Sequence, residues 1–375
     1  MRILLLLAVA SSLLADPTPA ERAIAQARQL IEKNPKQAEH YSALGLALVR
    51  RARESADASF YDEAEKAVTQ SLTLTPNNFP ALKTRAWVLL GRNEFEQARD
   101  LARELNQRIP DDVSVYGLLI DVYLELGDYP AAEKACNWML RLRPGNTPAL
   151  TRAGQLRELF GDLEGALDLL GRAFESTPVA ETEERVWLLT RIGRLTMQKG
   201  DLVSAERILR EALTVLPRYH HTLAALAQTK LAQKDYPAAV ELFRARHAAS
   251  PRPGNLYDYA DALAQAGRGA EAKQAFAEFV PQALAESQRP ANSNHELAFY
   301  YANHARQPKD ALRIAAGEFA RRRDVHTVDA YAWALHMNGR DQEAGQQYDA
   351  VRAVGTRNVK ILERAAQVGA LTAAR

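Results

Sequence analysis

The side chains best equipped for chemistry are eight histidines, one cysteine and a large set of carboxylates, and their spacing decides what they can do. His295-Glu296 opens like the helix of a zinc protease, but the second histidine such a site needs four positions after the first is replaced by Phe299. His326, Asp329, Trp333 and His336 fall near one helical face, and His326 with Asp329 offers two ligands where a metal needs more. His220 and His221 are adjacent, so they leave a helix in different directions. Cys136 is alone, which excludes an intrachain disulfide, and its apolar neighbours predict a buried thiol. There is no Gly-x-Ser-x-Gly elbow, no phosphate loop ending in Gly-Lys and no dinucleotide glycine fingerprint. The carboxylates occupy polar faces of helical patterns, where solvation or i,i+4 pairing is their role. The residues predict no enzyme, no metal site and no cofactor.

The elements that hold these side chains repeat. Ala64, Ala98, Ala132, Ala166, Ala205, Ala239, Ala272, Ala311 and Ala344 recur at steps of 34, 34, 34, 39, 34, 33, 39 and 33 residues. Pro76, Pro110, Pro144, Pro178, Pro217 and Pro251 each stand twelve residues beyond one of these alanines, so the chain is a repeat array. Residues 113–144 show one unit. Val113, Tyr116, Leu119, Ile120, Tyr123 and Leu124 give a first amphipathic helix, Gly127 ends it, and Asp128 and Pro130 open a second. Ala132, Cys136, Met139 and Leu140 form the apolar face of that second helix, and Pro144 closes it. Between Arg50 and Tyr61 the first unit carries about seven extra residues, and Val179 to Arg185 adds five more before the fifth. Ser287 to Asn294 is a polar break between the seventh and eighth units.

This pattern resembles the tetratricopeptide repeat, a 34-residue helix-turn-helix with a small residue in its first helix, an alanine early in its second and a proline at its end. The small position, twelve before the ruler alanine, holds Ala86, Gly154, Gly193, Ala227, Ala260 and Ala332. Ile120 breaks the pattern, and Phe299 does so unless the following turn is one residue longer, which places Ala298 there. The resemblance implies an all-α, right-handed superhelical solenoid whose first helices line a concave face that meets extended peptides or partner helices. Carried onto this chain, the exposed first-helix positions are Lys83 and Trp87; Asp121 and Glu125; Gln155 and Glu158; Trp187, Thr190, Arg194 and Gln198; His221 and Gln228; Tyr257 and Asp261; and Asp329, Trp333 and His336. Trp87 stands where a carboxylate clamp has asparagine, four residues after Lys83.

Outside the repeats, Arg2 precedes an uncharged apolar run from Ile3 to Leu14, too short to span a bilayer, so residues 1–15 read as a secretory signal peptide. Residues 16–37 form a half-repeat helix, 38–356 about nine repeats and 357–375 a capping helix with a polar face. Forty-eight basic against 46 acidic residues leave a net charge of +2, without the basic surplus of a nucleic-acid binder. Arg321-Arg322-Arg323 is the one tight basic cluster and reads as a solvated helix end. Together these features predict a non-enzymatic scaffold, periplasmic or secreted, with a protein or peptide partner, no nucleic acid and no stable membrane span. The alternative is a carbohydrate-handling module of polysaccharide synthesis or secretion, with groove tryptophans stacking on a glycan.

Overall fold

A computed structural model describes residues 17–288 and 295–373, and within them every regular element is helical. The expected signal at 1–15 and residues 289–294 of the polar break lie outside the described residues. Helix α1 (Pro19–Lys33) leads into nine first-helix/second-helix pairs. The first helices are α2 (Ala38–Ser55), α4 (Phe79–Gly91), α6 (Val113–Leu126), α8 (Thr147–Leu159), α10 (Thr182–Gln198), α12 (His220–Ala232), α14 (Pro253–Gln265), α16 (His295–Phe299) and α18 (Val325–Met337). Their partners are α3 (Ser59–Leu74), α5 (Phe95–Arg108), α7 (Tyr129–Leu142), α9 (Leu163–Ser176), α11 (Leu202–Val215), α13 (Tyr236–Ala249), α15 (Gly269–Ser287), α17 (Pro308–Arg321) and α19 (Asp341–Val354), and α20 (Val359–Ala373) follows. The chain is an all-α superhelical solenoid.

Local chemistry explains each boundary. Every intra-repeat turn contains one residue with positive φ: Ala56, Asn93, Gly127, Gly161, Gly200, Lys234, Gly267, Arg306 and Gly339. Four second helices are then capped alike, with Asp128, Asp162, Asp201 and Asp235 accepting from the N–H groups of Ala131, Gly165, Ser204 and Ala238. The ruler alanines are buried throughout, and the small residues let the paired helices approach: a Cβ added to Gly154 meets Leu170 at 2.8 Å. The extra residues of the first unit lengthen α2 to 18 residues, and those before the fifth lengthen α10 to 17.

The eighth unit resolves its own register. After α16 the helix widens into a π-helical turn, Tyr300–His304, where the Ala305 N–H donates to the Tyr300 carbonyl at 3.0 Å. That turn absorbs one additional residue. Ala298, not Phe299, is then buried at the hairpin joint.

The solenoid curls far enough to meet itself. The Arg323 N–H donates to the Glu125 carbonyl at 2.9 Å, and the Arg322 guanidinium lies over the Phe95 ring. Tyr129 and Leu159 pack against the apolar cluster of Val325, Leu335, Tyr348 and Ile361. At Gly161 an added Cβ would stand 2.3 Å from the Gly355 carbonyl oxygen, and one at Gly355 2.8 Å from that of Phe160. The turns after α6 and α8 therefore seat on the segments before α18 and after α19, and the first helices surround a shared central space that remains partly open to solvent.

Candidate binding surface inside the closed superhelix

The central space is a cavity of about 1510 Å³, walled by α2, α4, α6, α8, α10, α12 and the start of α18. Of the positions expected on the concave face, it gathers Trp87, Asp121, Glu125, Gln155, Glu158, Trp187, Arg194, Gln198 and His221. Ion pairs between successive first helices order its wall. Arg152 holds Asp121 through two hydrogen bonds of 2.8 and 2.6 Å, and Arg191 pairs with Glu158, which also accepts from Gln198 at 3.2 Å. Each pair lays its guanidinium near an indole, Arg152 at 6.0 Å from the Trp87 ring centre and Arg191 at 5.5 Å from that of Trp187. Arg53, Arg194 and Arg252 face the same space without an ion-pair partner among the described residues.

The remaining expected positions go elsewhere. Thr190 is buried, donating to the Val186 carbonyl and sharing a 2.5 Å hydrogen bond with Thr222, so it fastens α10 to α12. Asp329 is also buried, held by Arg364 and by the Tyr348 hydroxyl at 3.1 Å, and it fastens α18 to α19 and α20. Neither presents a side chain to a ligand, because tight joints between neighbouring helices engulf positions that a more open array leaves bare. Lys83 is paired with Asp112 at 2.7 Å, and Gln228 lies outside the cavity wall. Tyr257 packs on Phe276 and Phe279, and Asp261 meets His304 at 3.3 Å. The Trp333 indole donates to Asn303 at 2.8 Å, and His336 bonds Asp341 at 2.8 Å. In the ninth unit Trp333 and His336 keep their rings 5.1 Å apart, but the four residues take separate polar partners and only His326 faces the cavity.

Two other readings change. The rings of His220 and His221 lie 3.9 Å apart instead of diverging. Burial pushes His220 down to about 4, with Arg246 and Arg252 adding to the shift. His221 keeps accessible surface yet is surrounded by the cavity wall. That enclosure, with His220, Arg246, Arg194 and Arg252 nearby, holds it well below the ordinary histidine range, so both rings are neutral at pH 7. Arg322, expected at a solvated helix end, is instead enclosed between Glu125 and Asp324. Cys136 is buried, and burial raises its thiol to about 11, an inert neutral group.

Glu125 is the titrating residue of the closure. Its carboxylate lies 2.9 Å from Arg322 without hydrogen-bond alignment, whereas Asp324 shares the same guanidinium and also accepts from Thr327. Asp324 therefore carries the charge. Burial lifts Glu125 to about 7, against the pull of Arg322 and with help from Asp324 and Asp121. An unfolded glutamate releases its proton near 4.5, so from there to about 7 the folded chain holds a proton the unfolded chain has lost. Through that window stability falls as pH rises. Glu125→Gln lacks the titration and should lose less stability between about pH 5 and about pH 8 than the parent chain. Urea midpoints measured across pH check this, and parallel curves for the two proteins rule it out.

Sequence reasoning missed Arg50, Arg152, Arg191, Arg322 and His326 as cavity residues. Arg152 and Arg191 had a faint signal, since each follows a first-helix acid of the preceding unit by 31 or 33 residues, about one repeat. Arg322 and His326 had none, because they arrive only when the superhelix closes.

Comparison with known proteins agrees with this architecture. The tetratricopeptide-repeat family model matches residues 83–147 and 118–181. BBSome complex member BBS4 of Bos taurus is 23% identical over 300 residues, covering 79% of this chain and 54% of that protein. A TPR repeat-containing protein of Methanocaldococcus jannaschii is 23% identical over 171 residues, covering 41% of this chain and 30% of the relative. The chain thus spans about a third to a half of the length of these curated relatives. Among solved structures, the APC/C hetero-tetramer Cut9-Hcn1 aligns with a TM-score of 0.54 at 16% identity, over 84% of this chain and 58% of that one. The human IFIT1 dimer with m7Gppp-AAAA aligns with a TM-score of 0.53 at 12% identity, over 89% and 85%. At these identities the likeness is one of fold.

Proposed function

Because the chain is a tetratricopeptide-repeat protein, we propose that it is a non-enzymatic scaffold of the cell envelope that holds an extended segment of a partner protein inside its closed superhelix. The observation that carries this reading is the cavity wall, where Trp87 and Trp187 stand among eight arginines and eight carboxylates, with Arg194 uncompensated. A wall of balanced charge with aromatic steps suits a polypeptide of mixed side chains better than a uniform polyanion. A carbohydrate is the second reading, favoured by the two indoles. The guanidiniums of Arg152 and Arg191 beside them leave less ring for a sugar to cover.

Arg194 and Trp187 give the test. Arg194 has no ion pair to lose, so Arg194→Ala should leave stability within about 0.5 kcal/mol while weakening the partner by more than about 1 kcal/mol. Trp187 is half-buried, so Trp187→Ala weakens binding and also lowers stability. Pull-downs from the native envelope with the parent and both variants, followed by titration of the recovered partner, decide the matter. A partner that binds all three equally removes the cavity from the account. Export is the second half of the proposal: N-terminal sequencing of the natively produced protein should begin after residue 15, and a retained Met1 or Arg2 counts against it. Among the described residues no helix is long and apolar enough to cross a membrane.

A further inference from the structure

Of the three consecutive arginines, only Arg322 takes part in the cavity; the other two lead to a second space. On the outer side of the closure a cleft of about 260 Å³ separates α5 and the α6–α7 turn from the end of α17. Arg99 and Arg103 enter it from one side, Arg321 and Arg323 from the other. Arg103 donates to the Tyr123 hydroxyl at 3.1 Å and lies 5.6 Å from the centre of that ring, with no carboxylate partner among the described residues. Arg323 donates to the Phe319 carbonyl at 2.7 Å and stacks 4.0 Å above the Phe319 ring, likewise without a carboxylate. Arg99 is paired with Glu96 and Asp100, and Arg321 with Glu318. Two carboxylates line the cleft against the four guanidiniums. Glu96 is taken by Arg99, and Asp128 accepts from the Ala131 N–H at 3.2 Å to cap α7.

Stretches far apart in sequence thus bring like charge together where the superhelix meets itself. The neighbouring carboxylates are committed to Arg99, Arg321 and the α7 cap, so Arg103 and Arg323 face the cleft with no carboxylate of their own. An anion between them supplies that charge, and its shape is constrained. A carboxylate offers two oxygens in one plane and satisfies one guanidinium fork, whereas a tetrahedral oxyanion offers acceptors toward both walls. We propose that this cleft is a binding site for a phosphate-type oxyanion that bridges Arg103 and Arg323 and so ties the closure shut. The anion is free phosphate or a phosphorylated side chain, which present the same oxygens. The site lies outside the cavity and stands independently of what the cavity holds.

The test uses the full mature chain, with inorganic phosphate and O-phosphoserine titrated against chloride at constant ionic strength, read by calorimetry and by thermal unfolding. Phosphate should bind saturably and raise Tm where chloride does not. Arg103→Gln and Arg323→Gln, one from each wall, should each weaken binding by roughly tenfold, as removal of a charge-assisted donor from a bridged anion predicts. Among the described residues Arg103 has Tyr123 as its one hydrogen-bond and ring partner and no ion pair, so its variant should keep the fold even where Arg323→Gln loosens the closure. Tighter binding of O-phosphoserine than of phosphate identifies a modified polypeptide as the source, and the reverse identifies the free anion. Equal stabilisation by chloride, or full affinity in the Arg103→Gln chain, overturns the proposal.

Discussion

Replacing Asp329 with alanine should cost about 3–5 kcal/mol of stability, the expected cost of leaving a buried charge without its partner. The carboxylate is 3% exposed and is held by both arms of the Arg364 guanidinium, with Nε at 2.9 Å from Oδ1. The fully buried Tyr348 donates its hydroxyl to the same Oδ1. Alanine strands both donors at once, and Arg364 has little water to turn to, since it also lies 4.7 Å from the centre of the Phe299 ring. Because α20 closes the array through this joint, the loss should appear first as local opening of α18 to α20, with faster amide hydrogen exchange there than in α4 to α9. Asp329→Leu combined with Arg364→Met removes both charges and should recover much of the loss, as apolar replacement of a buried pair commonly does. Urea denaturation of the three proteins measures it. A loss below about 1 kcal/mol for Asp329→Ala means the pair is solvated and structurally dispensable.

The contrast between Asp329 and Asp121 shows what the sequence could tell. Both are first-helix acids that pair with an arginine about one repeat later, but Asp121 stands one residue after its unit's small position and Asp329 three residues before Ala332. The repeat, its helices and its caps were legible because each is encoded within a few residues: a positive-φ turn, an aspartate cap, a proline just past the helix end. Thr190, three residues before Gly193, shares the register of Asp329 and is buried like it, so the place on the first helix carries part of the answer, and how closely the next helix packs, which no local pattern records, carries the rest. The π-helical turn at Tyr300–His304 was half legible. The spacing left open whether Phe299 or Ala298 takes the small position, and it did not show that a widened helical turn absorbs the extra residue. Closure was not legible at all. It accumulates from small rotations between neighbouring units over the whole array, so Arg322 meets Glu125 without any signature near either residue.

Gly161→Val should open the superhelix while sparing its repeats. Gly161 has φ +81°, and its Cβ position lies 2.3 Å from the Gly355 carbonyl oxygen, so valine brings both backbone strain and a collision with main chain that has no rotamer to change. Strain alone is worth about 1–2 kcal/mol, the cost of a left-handed conformation for a residue with a Cβ. Gly200→Val isolates that term. Gly200 occupies the same turn of the next unit at φ +91°, with nothing within 4 Å of its Cβ position. Both variants should lose similar local stability, but only Gly161→Val should separate the turn after α8 from the segment after α19. Small-angle X-ray scattering then reports a larger radius of gyration for Gly161→Val alone, with unchanged helical circular dichroism. The same variant exposes the cavity wall, so a partner that needs the enclosed space binds it more weakly than it binds Gly200→Val. If Gly161→Val and Gly200→Val scatter alike, the contact between Gly161 and Gly355 does not hold the superhelix closed, and the cavity is an open groove in solution.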